Sequence, residues 1–272
     1  MSQSTIAIVG CGWLGLPLGQ QLVQSAYRVT GSTTREERLP LLKETGIEGF
    51  ILRSSGEGLI GDNLEGLFGV ETLVLNIPPG RKRPDVAKQY PEQVRLLLDK
   101  ALASGVRRVI FVSSTSVYPN TGDWVTEETA VAPSTESGRA LVMAEEMVRE
   151  RMGEEQIVLR MAGLVGGERK AGRFFAGKKG IAGGLSRINM VHRVDCLAVM
   201  QRLLEGEHWG ATFNVCADEH PTKMAFYEQQ SKKQGFAPPE FIANITPHKV
   251  VSNKAIKTAL NYEFQYADPM QF

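Results

Sequence analysis

The sequence predicts an α/β protein built on a doubly wound parallel sheet with a small C-terminal lobe. Two observations favour this fold class. Short apolar runs rich in Val and Ile alternate with helical stretches through the first 165 residues, as in strands joined by crossover helices. The first of these runs also lacks polar alternation, as expected for a parallel strand covered on both faces.

Six runs are predicted as strands and three longer stretches as helices. Pro78 and Pro79 end the fourth strand, because proline cannot continue a central ladder, and Gly105 occupies the C-capping position of the next helix. Asp195 precedes a helical apolar stretch and is predicted as its N-cap. The predicted strands are residues 5–9, 27–30, 49–52, 72–76, 109–113 and 157–160, and the helices span about 12–26, 86–104 and 140–151.

The character of the chain changes after about residue 165. Residues 166–184 hold seven glycines among basic residues, and prolines separate short elements in the tail. We therefore predict a sheet domain over residues 1–165 and a smaller substrate lobe over 166–272, between which sheet strands can interleave. The lobe is expected at the carboxyl edge of the sheet, where open α/β sheets bind ligands.

Composition restricts the class of protein. The 272 residues are 42% hydrophobic and 22% charged, and 31 Lys and Arg against 30 Asp and Glu leave a net charge of +1. This balance argues against a nucleic-acid-binding protein. Three distant cysteines, Cys11, Cys196 and Cys216, suggest neither a disulfide framework nor a metal site. With no signal-peptide pattern or membrane-spanning run, we expect a cytoplasmic protein without membrane contact, as a monomer or homodimer.

The most informative motif is a G-x-G-x-x-G between the first predicted strand and the first helix. Gly10 permits the tight turn, Gly12 lets a pyrophosphate approach the backbone, and Gly15 lets the helix pack close to the strand. The amides of Trp13 and Leu14 are expected at a helix N-terminus, which favours phosphate. The position of the motif predicts the dinucleotide site of a Rossmann-type domain.

The residues after the second strand bear on the choice of dinucleotide. An NAD site usually has an acidic residue about 20 residues past the turn, but here no acid precedes Glu36. Ser32, Thr33 and Arg35 instead suit a 2′-phosphate, because guanidinium binds phosphate through charge-assisted, bidentate contacts. NADP(H) is therefore favoured over NAD(H), with a solvated loop as the alternative. Asn76, at the end of the fourth strand, is expected to line the ribose or to form a turn.

Four later segments resemble the extended short-chain dehydrogenase/reductase family. They are F-V-S-S-T-S-V-Y at 111–118, L-R-M-A-G-L-V-G at 159–166, V-H-R-V-D at 191–195 and F-N-V at 213–215. The glycine turn, S-S-T-S-V-Y and the G-R-F-F-A-G-K stretch are most similar to the atypical YeeZ-like group, usually labelled NAD-dependent epimerase/dehydratase. The resemblance implies a Rossmann domain, a nicotinamide cofactor contacting Ser113 and Ala162, and often a nucleotide-sugar substrate.

The resemblance also identifies candidate catalytic residues. Ser114 matches the family's upstream hydroxyl, which hydrogen-bonds a substrate oxygen; the alternative is a strand-end hydroxyl bonded to backbone. The family's Tyr and Lys are replaced by Ser137 and Leu141, which puts its usual chemistry in doubt. Tyr118 is the nearest phenol in sequence, either a proton donor or a side chain packed in the substrate loop. A water held by Ser137 is the other candidate proton source.

Basic residues near the predicted ligand edge suggest an anionic small-molecule substrate. Arg173 and Lys178 lie with Phe174 in the glycine-rich loop, and 81–83 is an Arg-Lys-Arg run after the fourth strand. Such a cluster either holds an anion or is solvated surface. His192 is expected near the substrate lobe or in a structural role.

Three functions are compatible with these features. The leading hypothesis is an NAD(P)-dependent oxidoreductase or epimerase/dehydratase-like enzyme acting by hydride transfer on a small polar, phosphate- or nucleotide-linked carbonyl or alcohol. The first alternative is a non-catalytic NADP(H)-binding sensor or scaffold, suggested by the missing Tyr and Lys. The second is an NADP-assisted lyase or isomerase without net redox change.

Overall fold

The protein is described from a computed structural model that covers residues 4–55, 58–80 and 85–272. The strands are β1 (Thr5–Val9), β2 (Arg28–Thr33), β3 (Glu48–Ile51), β4 (Arg53–Ser55), β5 (Gly58–Ile60), β6 (Thr72–Leu75), β7 (Arg108–Ser114), β8 (Trp124–Val125), β9 (Gln156–Met161), β10 (Gly163–Val165), β11 (Met190–His192), β12 (Thr212–Val215) and β13 (Val250–Val251). The helices are α1 (Gly15–Gln24), α2 (Leu39–Glu44), α3 (Leu64–Phe68), α4 (Val86–Ala103), α5 (Glu136–Met152), α6 (Arg193–Glu205), α7 (Lys223–Lys233) and α8 (Lys254–Leu260). No helix in these ranges has both the length and the apolar character needed to cross a membrane.

Seven strands form the main sheet, in the order β12-β9-β7-β6-β1-β2-β3. The pairs β1–β2, β1–β6, β2–β3 and β6–β7 are all parallel. The order extends outward from β1 in both directions, which is the double winding of a Rossmann-type sheet, and its switch point lies between β1 and β6. The topology confirms the predicted fold class.

The predicted elements differ from the observed ones mainly at their ends. The second strand continues to Thr33, three residues beyond the prediction, because its last residues pair with β3. The first helix begins at Gly15, three residues later than predicted, since the chain turns over residues 11–14. Gly10 has a φ of 103°, a conformation that glycine adopts readily and that sets this turn.

The chain divides into two compact units, each assembled from three stretches. The first comprises residues 1–117, 135–159 and 203–212, and the second residues 118–134, 160–202 and 213–272. In the first unit, α4 and α5 pack against each other and α5 packs on β7. The boundary predicted after residue 165 lies within the second unit.

The second unit has a core of its own. Buried Phe226 and Tyr227 on α7 pack with Val165, Ala171 and Met190. Two small parallel ladders, β10–β11 and β8–β13, belong to this unit. The partly buried rings of Phe175, Phe241 and Phe272 pack against this cluster. The second unit therefore has an apolar interior of its own.

Asp195 ties the end of the chain to α6 within this unit. It is fully buried, and its carboxylate accepts hydrogen bonds from the Tyr262 hydroxyl (2.6 Å) and from the amides of Gln265 (2.7 Å) and Tyr266 (3.1 Å). The N-cap prediction for Asp195 is wrong, because α6 begins two residues earlier, at Arg193. The carboxylate holds a distant segment instead of its own helix.

Candidate functional site

The glycine turn after β1 is the centre of the candidate site, and each of its three glycines meets a different constraint. A Cβ on Gly10 would lie 2.4 Å from the backbone oxygen of Asn76, and one on Gly15 would lie 2.3 Å from the backbone oxygen of Gly10. A Cβ on Gly12 would meet no atom within 4 Å. Gly10 and Gly15 are therefore required by the fold, whereas Gly12 faces open space that a ligand can use.

Two side chains hold this turn in place. Asn76 Nδ2 donates to the Gly10 oxygen at 3.1 Å, and the Gly10 amide donates to Ser32 Oγ at 3.1 Å. The Cys11 amide also donates to the Ser32 carbonyl oxygen at 2.9 Å. Asn76 and Ser32, predicted as cofactor contacts, thus both bond to the backbone of the turn and position it.

Cys11 is buried under the turn, and its thiol is not a reactive group. Burial raises the pKa of Cys11 to about 12, so the thiol stays protonated at neutral pH. Trp13 is half-buried and Leu14 is buried, and Leu14 is the N-cap residue of α1. Both therefore lie directly before the helix, as predicted for residues whose amides face a phosphate.

A pocket of about 80 Å³ opens beside the turn, within the first unit. It combines apolar walls with hydroxyl groups, but it is smaller than the roughly 300–1,000 Å³ of a typical ligand pocket, so it suits one part of a nucleoside and not the whole of it. The open space at Gly12 and this adjoining pocket fit a dinucleotide laid across the switch point of the sheet. The lining residues are Val9, Gly10, Ser32, Thr33, Thr34, Leu52, Ile77, Gln93 and Leu97.

Arg35 lies outside the pocket lining. Its side chain is 60% exposed, with Nε 3.8 Å from Glu37 Oε1. Its amide donates to Thr33 Oγ1 at 3.2 Å, so the predicted Thr33 hydroxyl serves this local turn. The structure thus places Ser32 and Thr33 at the pocket and leaves the Arg35 guanidinium in solvent.

The two serines at the end of β7 have different environments. Ser114 is half-buried, and its Oγ accepts the Ser116 amide at 3.2 Å. Ser113 is buried, and its hydroxyl donates to Glu145 Oε1 at 2.5 Å. The prediction that Ser113 contacts the cofactor is not supported for its side chain, because this hydroxyl is bonded to α5. Among the hydrogen bonds of the described residues, the Ser114 hydroxyl accepts this one and donates none.

Glu145 is a buried carboxylate that sequence reasoning missed. It accepts from Ser113 on β7 and from Arg149 Nη2 at 3.0 Å, one turn along α5. The sequence carries a signal for this burial, because Glu145 falls within the apolar stripe of α5 beside buried Ala144 and Val148. An acid on a core-facing stripe indicates a bonded, buried role.

The positions of the missing Tyr and Lys lie in the first turns of α5. Ser137 is half-buried, and its hydroxyl lies 3.3 Å from that of the N-cap residue Thr135. Leu141 is 2% exposed, so its site is apolar interior. Arg139 is on the exposed face, paired with Glu136. Arg139 therefore does not take the place of the lysine, because it lies on the other face of α5. Of the two positions, 137 and 141, only Ser137 carries a polar side chain.

Tyr118 is enclosed in the second unit. It is 1% exposed, its hydroxyl donates to Asn214 Oδ1 at 2.8 Å, and it accepts from Arg160 Nη1 at 2.8 Å. Burial raises the pKa of Tyr118 although Arg160 opposes the shift. These contacts favour the packed role of Tyr118 over that of a proton donor, because the phenol is buried and its hydroxyl both donates and accepts a hydrogen bond.

The predicted substrate residues all lie in the second unit. Arg173 is exposed and Phe174 is 42% exposed. Lys178 Nζ lies 5.7 Å from the Phe175 ring centre, and Lys223, which sequence reasoning missed, lies 5.1 Å from the same centre. Two ammonium groups at one ring form a positive surface that suits an anion.

The remaining predicted residues are less accessible or are not described. The His192 ring lies 3.8 Å from that of Tyr266, and burial lowers the pKa of His192; both favour a packing role. Ala162 is buried, with its amide bonded to the Val215 oxygen. The basic run 81–83 lies outside the described residues. Across the described ranges, no three His, Cys, Asp or Glu side chains converge as metal ligands.

Comparison with known proteins gives concordant results. The NAD dependent epimerase/dehydratase family matches residues 85–194. Protein YeeZ of Escherichia coli (strain K12) is 37% identical over 268 residues, which cover 97% of each chain.

Solved structures show the same fold. A short-chain dehydrogenase/reductase superfamily protein from Agrobacterium tumefaciens with bound NAD is similar at a TM-score of 0.78, with 22% identity and coverage of 98% of this chain and 94% of that one. UDP-glucuronic acid 4-epimerase from Bacillus cereus, in complex with UDP-glucuronic acid and NAD, is similar at 0.77, with 16% identity and coverage of 98% and 96%. Sequence and fold agree with the resemblance noted in the motifs, and the chain belongs to the NAD-dependent epimerase/dehydratase family of short-chain dehydrogenases/reductases, in the atypical group that includes Protein YeeZ.

Proposed function

We propose that the chain is an NADP(H)-dependent enzyme that acts on a small, polar, anionic carbonyl or alcohol. The observation that carries the proposal is the open space at Gly12, held between two glycines that the fold itself requires. Several surface glycines also have open space at this position, but at Gly12 the space lies in the turn between β1 and α1, where doubly wound sheets bind a pyrophosphate. Family membership and the NAD bound in similar structures support a nicotinamide dinucleotide.

The residues that would hold the dinucleotide are arranged along the carboxyl edge of the sheet. Gly12 and the amides after it would face the pyrophosphate, and the pocket at Ser32 and Thr33 would take part of the adenosine. The preference for NADP(H) is supported by the end of β2, where no carboxylate precedes Glu36. An acidic residue at that position accepts hydrogen bonds from the ribose hydroxyls of NAD, and a 2′-phosphate makes no such bond.

Ser114 is the candidate for contacting the reacting oxygen. When bound, the nicotinamide supplies hydride donation and acceptance. Ser114 would donate its hydroxyl hydrogen to the substrate oxygen and so orient it. Ser137 would hold a water that supplies or removes the proton, since neither a phenol nor a lysine occupies the first turns of α5. Both serines belong to the first unit.

The anionic character of the substrate is supported by the second unit. Lys178 and Lys223 approach one ring, and Arg173 and Phe174 are exposed in the same loop region. Two ammonium groups over the half-buried Phe175 ring, with exposed Arg173 and Phe174 nearby in the chain, suit a phosphate ester, including a nucleotide-linked one.

The proposal is tested first by binding. Titrating the purified chain with NADPH and with NADH, followed by quenching of Trp13 fluorescence, should give saturable binding of both, tighter for NADPH. NADPH oxidation is then screened with phosphorylated aldehydes and ketones and nucleotide-linked ketosugars. Ser114→Ala should lower turnover about 100-fold or more with NADPH affinity unchanged, while Ser116→Ala, which keeps the backbone amide, should change neither.

The alternative is a non-catalytic NADP(H)-binding protein, and one observation favours it. Leu141 fills the lysine position as a buried residue, so the cation that activates the family's proton donor has no counterpart there. This function predicts NADPH binding without turnover in the same screen. Turnover that Ser114→Ala abolishes excludes it, and absence of binding by either nucleotide refutes both functions.

A further prediction concerns Tyr118. Tyr118→Phe should cost about 1–2 kcal/mol of unfolding free energy, because Arg160 and Asn214 each lose a buried partner. Turnover should change less than threefold, since the phenol does not reach solvent. Urea denaturation and initial rates measure the two quantities, and a 100-fold drop in rate at intact stability would restore Tyr118 as a proton donor.

A further inference from the structure

Arg53 lies at the edge of the nucleoside pocket on a fixed backbone. The preceding residue, Leu52, lines the pocket, and its amide donates to the Thr33 oxygen at 3.0 Å. Arg53 itself begins β4 and pairs with Ile60 of β5. These backbone contacts of Leu52 and Arg53 fix the position of the Arg53 Cα, from which the side chain extends.

The Arg53 side chain turns back toward the pocket. Its Nε donates to the Thr34 oxygen at 3.0 Å, and Thr34 is a pocket-lining residue. Fixing Nε in this way orients the planar guanidinium and leaves its outer nitrogens available for another acceptor. The side chain is 51% exposed, so the outer nitrogens are accessible to a ligand.

The acceptor nearest to those nitrogens is a weakly held carboxylate. Arg53 Nη2 lies 3.6 Å from Glu36 Oε1, and the Glu36 side chain is 75% exposed. An exposed pair of this kind contributes little to stability, because solvent screens it and the two long side chains lose freedom when they pair. A phosphate dianion, which accepts two parallel N–H bonds from one guanidinium, displaces such a partner at little cost.

Arg35, the guanidinium that the sequence favoured, is less well placed. It is 60% exposed and follows the local turn at Thr33, with Nε 3.8 Å from Glu37. Among the ion pairs and hydrogen bonds of the described residues, its side chain has no contact with a pocket-lining residue. Arg53 has one, at Thr34.

We propose that Arg53 is the residue that selects a 2′-phosphate on the adenosine ribose, and that Glu36 is the counter-ion exchanged for that phosphate. In the bound state Nε stays on the Thr34 oxygen while the outer nitrogens donate to phosphate oxygens. The inference rests on the proposed dinucleotide function and names the residue that sets its preference.

The test uses fragments that differ only in the phosphate of interest. Isothermal titration of the full chain with adenosine 2′,5′-diphosphate and with adenosine 5′-monophosphate measures the preference directly, without turnover. Arg53→Gln should remove about tenfold or more of the affinity for the 2′,5′-diphosphate, the loss expected for charge-assisted bonds, and should leave the affinity for the 5′-monophosphate unchanged. Arg53→Lys, which keeps the charge but not the planar fork, should lose an intermediate amount.

Two further variants sharpen the result. Glu36→Gln removes the competing carboxylate and should raise the affinity for the 2′,5′-diphosphate about two- to fivefold. Arg28→Gln is the matched control, because Arg28 is an equally exposed guanidinium at the opposite end of β2, paired with Glu48 at 3.1 Å. It should alter neither affinity.

The outcomes separate this inference from the proposed function. A preference for the 2′,5′-diphosphate that survives in Arg53→Gln, or that disappears in Arg35→Gln instead, overturns the role of Arg53 while NADP(H) binding stands. Wild-type protein that binds the two fragments equally refutes the NADP(H) preference and the role of Arg53 with it. Wild-type protein that binds neither fragment refutes the dinucleotide function as a whole.

Discussion

Gly12→Val should abolish dinucleotide binding and leave the stability of the protein unchanged. The φ of Gly12 is not in the left-handed region, and its Cβ would meet no atom within 4 Å, so the folded chain accepts the larger side chain. The isopropyl group would instead fill the space into which the pyrophosphate must come. We expect no saturable NADPH binding at millimolar concentrations, with a urea midpoint within error of the wild type.

Gly10→Ala is the matched comparison, because it alters the same turn through the fold. Its Cβ would lie 2.4 Å from the Asn76 oxygen, and the φ of 103° disfavours any L side chain. The expected loss of unfolding free energy is about 2–4 kcal/mol, with binding weakened as well. If Gly12→Val destabilises the protein as much as Gly10→Ala does, the space at Gly12 belongs to packing and the assignment of the ligand site is wrong.

Asp195→Ala should cost about 3–5 kcal/mol of unfolding free energy. Its buried carboxylate accepts three hydrogen bonds, from the Tyr262 hydroxyl and from two backbone amides. Removing the carboxylate leaves those donors without a partner in a buried place, and each orphaned group costs about 1–3 kcal/mol. Urea denaturation with a constant m-value measures the loss.

Tyr262→Phe provides the graded control for this prediction. It removes one of the three donors and keeps the ring on Phe264, so the expected cost is about 1–2 kcal/mol. Hydrogen exchange at the Gln265 and Tyr266 amides should accelerate in Asp195→Ala and much less in Tyr262→Phe. A loss below 1 kcal/mol for Asp195→Ala would show that the segment after α8 is held by its aromatic contacts instead.

The parts of the fold that sequence predicts well are those with strong local determinants. β1 is an uninterrupted apolar run ended by glycine, and β6 is ended by two prolines, so both ends are readable from a few residues. The end of β2 lies beyond the predicted end because Gly31 and Ser32 have weak strand preference and interrupt the pattern before Thr33. Pairing with β3 extends the strand through them, a contact between segments that no local pattern contains.

The candidate site shows the same contrast between features with local determinants and features that depend on distant segments. The close packing at Gly10 and Gly15 follows from the geometry that any such turn needs, and the structure shows it, whereas the contact of Gly12 with a pyrophosphate stays a prediction. Tyr118 lies only four residues from Ser114, but its surroundings come from Arg160 and Asn214. Partners 42 and 96 residues away are invisible to motif reasoning, so the sequence leaves the role of the phenol open between proton transfer and packing. Arg53 was overlooked for a different reason: it follows β3 at the ligand edge, but only the bond to Thr34 distinguishes it.

The burial of Leu141 has a consequence for anyone who would engineer this protein. Restoring the family's pair by Ser137→Tyr and Leu141→Lys would place an ammonium group at a position that is 2% exposed. The charge would need the buried Glu145 carboxylate, one turn further along α5, as its partner, and without that pairing it would lose its proton or unfold the helix. Tyrosine-based proton transfer would therefore require a redesigned interior around α5, and variants that test the proposed function are better sought at Ser114 and Ser137.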